Sequence, residues 1–408
     1  MTALRRVLFW CHLTAGALAG VVILVLCATG VLLAFQPQVL AFLERKARAA
    51  PPSAAGARLP GGTLLLHASR SVPGASPTAV TVPASSSESA RVALGRERTL
   101  YLDPATGAVL GEASRSGRAF FAAVQDLHRW LLVPEKSRPA GKAVTGAANL
   151  AFFGLALTGL YIWWPRIRGI RRVSSVGLFQ RGVSGKARDF NWHNVIGVWA
   201  AIPLLVLTAT GMVISYRWAG DLVYRLAGSE PPPAQAPNAR ARRRVQAPRP
   251  LSPDRAAALD RLWRIAEQQS PGWRAITLRL PEGGRGPVTF SVEEGRFLNR
   301  FARSPLTLDP ESGAVLRWEP YAQANKGRQA RSWMRFLHTG ESLGLPGQIA
   351  AALASAGGAL LACTGLSLAL RRFASWRRRG ASLSVATPVT EASARGEDDL
   401  AAVKGATG

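Results

Sequence analysis

The chain of 408 residues carries 51 Lys and Arg against 24 Asp and Glu, a formal net charge of +27, and only three cysteines. It is too long for one compact soluble domain and long enough for two. Cys11, Cys27 and Cys363 all fall inside apolar stretches, which leaves no disulfide framework or Cys-rich metal site outside them. The basic excess is not accompanied by a basic recognition helix or an aromatic-interleaved patch, so nucleic acid is not expected as a partner.

Residues 7–35 are the first of four stretches that read as membrane spans; the others are 143–164, 192–216 and 347–370. Each has 22 or more residues and no Asp, Glu, Lys or Arg, which meets the requirement of roughly 20 apolar residues for crossing a bilayer. The first span is expected to be retained rather than cleaved, because a signal h-region is only about 7–15 residues. In the short loop 165–191, Arg166, Arg168, Arg171, Arg172, Arg181, Lys186 and Arg188 face a single acid, Asp189. Arg371, Arg372, Arg377, Arg378 and Arg379 open the tail 371–408. Positive charge near span ends marks the cytoplasmic side, so both termini and the middle loop are expected on that side of the membrane, with segments 36–142 and 217–346 on the outer side. Arg240 to Arg244 lie in a long segment that the rule does not count. The basic face should also attract anionic membrane lipids. Trp10, Trp163, Trp164, Trp192, Trp218 and Trp376 sit at or near span ends, as interfacial anchors do.

The two long segments carry matched features. Tyr101 to Leu110 and Thr307 to Leu316 both read strand, tight turn, strand: Asp103-Pro104 and Asp309-Pro310 start the turns, and Gly107 and Gly313 supply the positive φ that ends them. Pro73-Gly74 precedes Pro83 by the interval that separates Pro271-Gly272 from Pro281, with strand-like runs at 79–82 and 275–278. From Ala256 to Gln268, the stripe of Leu259, Leu262, Trp263 and Ala266 predicts a helix, with Ser252 and Pro253 as its cap and first turn. Each segment is expected to form a small α+β unit. The Ser-rich run Ser85 to Ser89 reads as a loop. Residues 47–61, 231–250 and the tail after Gly380 have low-complexity composition and are expected to act only as spacers. The fold class is therefore membrane α-helical, four transmembrane helices in two tandem repeats, with two small α+β extracytoplasmic domains.

Four of the five histidines obey the same repeat. His12 lies 17 residues before Thr29-Gly30, and His193 lies 17 before Thr210-Gly211, while Gly16 and Gly197 each follow their histidine by four. His128 lies 30 residues before Thr158-Gly159, and His338 lies 26 before Thr364-Gly365. His128 shares an apolar helical stripe with Phe120, Phe121, Val124, Leu127 and Leu131, and His338 shares one with Trp333, Met334 and Leu337. A single interfacial histidine is ordinarily a hydrogen-bonding group, but a histidine within a span suggests function. Spans one and three run in the same direction, so a twofold axis along the membrane normal should bring His12 to His193 and His128 to His338. Two facing imidazoles make a bis-axial site for haem iron. With the spans rising about 1.5 Å per residue, the two membrane faces are about 30 Å apart; one pair is expected near each face, so that two haems would be needed.

Cys11 precedes His12, yet no Cys-x-x-Cys-His is present, so any haem would be b-type, held without covalent attachment. Gly16 and Gly197 could leave room for a macrocycle, and packing explains them equally well; Gly16 and Gly20 form a small-xxx-small face. Pro203 should kink the third span. His67 aligns with Ile265, has no partner, and reads as an ordinary residue of its α+β unit.

The paired L-D-P-x-[ST]-G-x-V-L turns, the span-bounded outer segments and the placed histidines resemble the PepSY-associated transmembrane helix proteins. These are also called PepSY domain or iron-regulated membrane proteins and include ferric-siderophore reductases. The resemblance covers roughly residues 5 to 375. It implies PepSY-like outer domains, haem on His12, His193, His128 and His338, and a ferric siderophore or similar chelate as electron acceptor. No Rossmann glycine fingerprint occurs, so the electron donor is expected to be a separate cytoplasmic reductase or a quinol. PepSY domains are also associated with peptidase inhibition, and the alternative is a binding or regulatory protein whose histidines are structural or bind metal without redox chemistry.

Overall fold

A computed structural model describes residues 3–50, 58–95, 98–163, 177–233, 251–281, 283, 286–295 and 301–385, with side chains of the last helix described to Arg378. Arg166, Arg168, Arg171, Arg172, Trp164, Arg240 to Arg244 and most of the low-complexity spacers lie outside the described residues.

Among the described residues, four helices are long and apolar enough to cross a membrane. In chain order they are α1 (Ala3–Ala34), α6 (Arg138–Trp163), α7 (Gly185–Ser215) and α11 (Leu345–Val385). Each extends past the charge-free run that reveals it in the sequence. Residues such as Arg138, Lys142, Lys186, Arg188 and Arg371 are good enough helix formers to continue the helix once the apolar turns have nucleated it. Leu18, Trp199, Ile202 and Leu353 are 80%, 72%, 72% and 68% exposed, a surface that water would penalise and lipid would accept.

The chain divides into two compact units, residues 1–24, 154–201 and 357–408 in one, 25–153 and 202–356 in the other. In the first, α1 meets α11 at Gly20, where an added Cβ would stand 2.8 Å from Leu366 Cδ2. The small residue permits close approach, as its place in a small-xxx-small face suggests. Gly16 lies against Leu155, and Gly197 against Leu361, at ordinary contact distance. Asp189, on the part of α7 that the sequence reading leaves in the loop, is nearly buried; it accepts from Ser367 Oγ at 2.7 Å and pairs with Arg188 and Arg371. One acid thus fastens α7 to α11 amid the basic residues. Arg372 stacks over Trp10 and Phe9, so the tryptophan carries a cation–π contact.

The second unit holds one antiparallel sheet of eight strands in the order β4-β3-β2-β1-β5-β6-β7-β8. The strands are β1 (Pro77–Pro83), β2 (Ala90–Leu94), β3 (Arg98–Leu102), β4 (Val109–Glu112), β5 (Ala275–Arg279), β6 (Val288–Glu293), β7 (Arg303–Leu308) and β8 (Val315–Trp318). The sequence suggests two separate strand sets; β1 and β5 instead pair along Ala79↔Arg279 to Pro83↔Ala275. Each would otherwise expose an unpaired edge, and joining removes both edges. Helices α4 (Gly61–Ser71) and α9 (Pro253–Gln269) pack on the sheet, burying Leu64, Leu65, Ala68, Leu259, Leu262, Trp263 and Ala266 against Val80, Val92, Ile276, Leu278 and Phe290.

The stripe read over 256–268 is helical, and Ser252 caps it by accepting from Arg255 N–H. Its counterpart α4 begins inside the run expected to be a spacer. No residue of its own caps it, and Asp260 of α9 does so instead, accepting from Thr63 N at 3.0 Å and from the Thr63 hydroxyl at 2.5 Å. Gly61 and Gly62 let the helices approach: a Cβ on either would meet Trp263 or the Ala256 carbonyl far inside contact distance. The Asp-Pro turns form as expected, with Asp103 and Asp309 accepting from their own turn residues and φ of +74° at Gly107 and +72° at Gly313. His67 covers Gly107 just as Ile265 covers Gly313, so its place is structural.

Between span one and the sheet, α2 (Gln36–Leu43) and α3 (Arg45–Arg48) flank Glu44, whose side chain is fully buried. Burial alone would raise its pKa, but the Tyr101 hydroxyl at 2.6 Å and the guanidinium groups of Arg118 and Arg48 hold it below the usual glutamate value. Arg118 belongs to α5 (Arg115–Trp130), which carries His128. The carboxylate therefore ties strand β3, the α2–α3 corner and the histidine helix together.

Candidate functional site

Each of the four histidines identified by the repeat meets its partner. In the first unit the rings of His12 and His193 have centroids 6.4 Å apart and planes at 86°. In the second unit, His128 and His338 stand 6.5 Å apart at 60°. His12 and His193 come from α1 and α7. His128 comes from α5, whose first turn is capped by Ser114 accepting from Gly117 N–H. His338 ends α10 (Lys326–His338), capped by Asn325 accepting from Arg328 N–H.

The turns after α5 and α10 are tight. Leu131 and Leu132 both adopt left-handed φ, 56° and 57°, a conformation costly for a branched side chain and tolerated where the surroundings hold it. Gly340 (φ +76°) and Gly347 pack backbone to backbone, which any side chain at either position would prevent. These turns return the chain directly into α6 and α11.

Every imidazole also touches a Thr-Gly pair on a spanning helix. His12 Nδ1 lies 2.9 Å from Thr158 Oγ1, His193 Nδ1 2.9 Å from Thr364 Oγ1, His128 Nδ1 2.8 Å from Thr29 Oγ1, and His338 Nδ1 3.1 Å from Thr210 Oγ1. The glycine that follows each threonine faces the same ring. A Cβ on Gly159, Gly365, Gly211 or Gly30 would come 3.4, 3.3, 3.3 or 3.9 Å from the Cε1 of His12, His193, His338 or His128. The sequence reading uses the Thr-Gly pairs only as markers of register; their recurrence in all four spans is the signal that they contact the histidines.

The two sites differ in lining. Among the described residues, a Cβ on Gly159 or Gly365 would have only the ring of His12 or His193 within 4 Å. Beside the glycines that face His128 and His338 stand polar side chains as well: Ser355 beside Gly30, and Asn149 beside Gly211 with its Nδ2 donating to the Thr208 carbonyl at 2.9 Å.

This donor set fits haem iron better than a bare ion. A metal bound by two histidine nitrogens at about 2.0–2.1 Å each would hold the ring centres roughly 6–6.5 Å apart, the separation found in both pairs. Among the described residues no group of three or more His, Cys, Asp or Glu is placed to hold a metal ion. Two protein ligands suffice where the metal brings its equatorial nitrogens with it.

The family model for the PepSY-associated TM region matches residues 9–372. No curated protein matches the chain.

Proposed function

Since this chain belongs to the PepSY-associated TM region family and is a membrane protein of that family, we propose that it carries electrons across the bacterial cytoplasmic membrane to a periplasmic ferric chelate, a siderophore complex above all. The observation that carries this reading is the pair of histidine pairs, each at the ring separation of a bis-axial site. His12 with His193, and His128 with His338, would each hold one non-covalent b-type haem. Haem iron supplies one-electron exchange between ferric and ferrous states. The protein's own part is to supply neutral imidazoles and to hold them in fixed orientation through the threonines.

The donor on the cytoplasmic side is a quinol or a separate reductase. Each electron delivered converts one Fe(III) of the chelate to Fe(II), a poorer match for hard oxygen ligands, so the iron is released. We further read the chain as two tandem repeats, each a pair of spans enclosing one PepSY-like domain. The strand order β4-β3-β2-β1-β5-β6-β7-β8, in which each half runs outward from the centre in sequence order, supports that reading.

The test is the absorption spectrum of protein purified from haem-replete cells. A Soret band with low-spin α and β bands on reduction, and haem extractable by acid acetone, is the expected result. A colourless preparation overturns the electron-transfer reading and leaves a binding or regulatory role.

A further inference from the structure

The hydroxyls that meet the four imidazoles each lie close to a second acceptor. Thr29 Oγ1 is 2.6 Å from the Val25 carbonyl, Thr158 Oγ1 2.7 Å from Gly154, Thr210 Oγ1 2.7 Å from Val206 and Thr364 Oγ1 2.7 Å from Leu360. This is the helical back-bond to the fourth residue before, in which the hydroxyl is the donor because a carbonyl only accepts. A hydroxyl has one proton. With that proton directed at the carbonyl, the oxygen can only accept from the ring nitrogen on its other side. Nδ1 of each histidine must then carry the N–H. A neutral imidazole has one N–H, so Nε2 is left with its bare lone pair. His338 supports the same assignment independently, because its Nδ1 is also 2.9 Å from the Leu207 carbonyl, which cannot donate.

We propose that Thr29, Thr158, Thr210 and Thr364 are positioning residues that lock His128, His12, His338 and His193 in the Nδ1–H tautomer, making Nε2 the sole nitrogen able to ligate. This rests on the haem reading for its purpose, though not for its geometry. It adds a direction. An N–H donated to an acceptor raises the basicity of the opposite nitrogen, and a more basic ligand favours ferric over ferrous iron. Each threonine therefore lowers the midpoint potential of the iron its histidine binds. At Gly365 and Gly211 the following glycine completes the device, since a side chain there would press on the ring that the hydroxyl orients, 3.3 Å away. Thr210 should matter less than Thr158, because the Leu207 carbonyl remains as an acceptor for His338 after its loss.

The experiment compares the full-length protein with Thr158→Val, Thr158→Ser and Thr210→Val in two measurements. In chain made without haem supply, ¹⁵N-histidine NMR reads the tautomers directly. Wild type should show Nδ1–H signals for the four site histidines; Thr158→Val should populate the Nε2–H form of His12, Thr158→Ser should restore wild type, and Thr210→Val should change little. In haem-loaded protein, a potentiometric titration should show a higher midpoint for Thr158→Val, by about 59 mV for each tenfold loss of ferric preference in a one-electron couple, with serine again restoring it. Nε2–H tautomers in the wild-type protein, or a Thr158→Val variant that changes neither tautomer nor midpoint, would overturn the proposal. If wild type binds no haem, the NMR measurement still decides the tautomer lock, while the haem reading fails separately.

Discussion

Thr81 and Thr277 face each other across the β1–β5 pair, their hydroxyl oxygens 2.9 Å apart and their backbones in direct register. The residues on either side pair in mirrored order, so the two threonines mark the centre of the eight-stranded sheet. Directly opposed strand residues lie within disulfide reach. In a Thr81→Cys/Thr277→Cys variant with a protease site introduced between residues 234 and 250, oxidation followed by cleavage should leave one band on a non-reducing gel and two after reduction. Two bands without reductant would mean that β1 and β5 are not partners.

Glu44 sets a second expectation, concerning stability. Its buried carboxylate accepts from Tyr101, Arg48, Arg118 and the Ser114 amide. Glu44→Ala would leave two guanidinium groups without their partner, each 36% exposed and so partly solvated, and should cost about 1–3 kcal/mol, read as a lowered midpoint of thermal unfolding. The pH dependence follows from its lowered pKa. A carboxylate with a folded pKa below its unfolded value stabilises fully above the unfolded value, near 4.5, and loses that contribution as pH falls through the lowered folded value. Wild type should therefore lose stability more steeply than Glu44→Gln as pH drops below about 4.5. Parallel pH profiles would contradict the assignment.

Glycines near the histidines separate contact from helix propensity. Gly365→Ala adds a methyl 3.3 Å from His193 Cε1, whereas the same change at Gly154 meets open space. Alanine favours a helix over glycine by about 1 kcal/mol at either position. Gly154→Ala should be neutral or mildly stabilising with an unchanged haem spectrum. Gly365→Ala should shift the low-spin spectrum and weaken haem retention by displacing the ring. Identical behaviour of the two variants would remove the glycine from the site.

Much of this was legible in the sequence. The four spans follow from apolar length, the turns at Asp103 and Asp309 from their dipeptides, and the histidine pairs from matched spacing. What escaped depends on contacts between distant segments. Helix α4 opens with two glycines and no cap of its own because its capping carboxylate, Asp260, lies 197 residues away. The single sheet depends on Thr81 meeting Thr277, 196 residues on. Periodicity cannot report either contact. The threonines were visible as a pattern, but which helix face each histidine meets is decided only by packing. Charge-free counting stops at Lys142, Asp189 or Arg371, while the helix continues past each.

The most direct test of the central claim is the haem-to-protein ratio of the purified chain and its histidine variants. The account predicts two haems per chain in wild type and in His67→Ala, and one in each of His12→Ala, His193→Ala, His128→Ala and His338→Ala. His12→Ala and His193→Ala should lose the same haem, identified by its spectrum and midpoint, and His128→Ala and His338→Ala should lose the other. A ratio of one that survives substitution of His128 and His338 would contradict the two-site account, and a ratio of zero in wild type would contradict haem binding altogether.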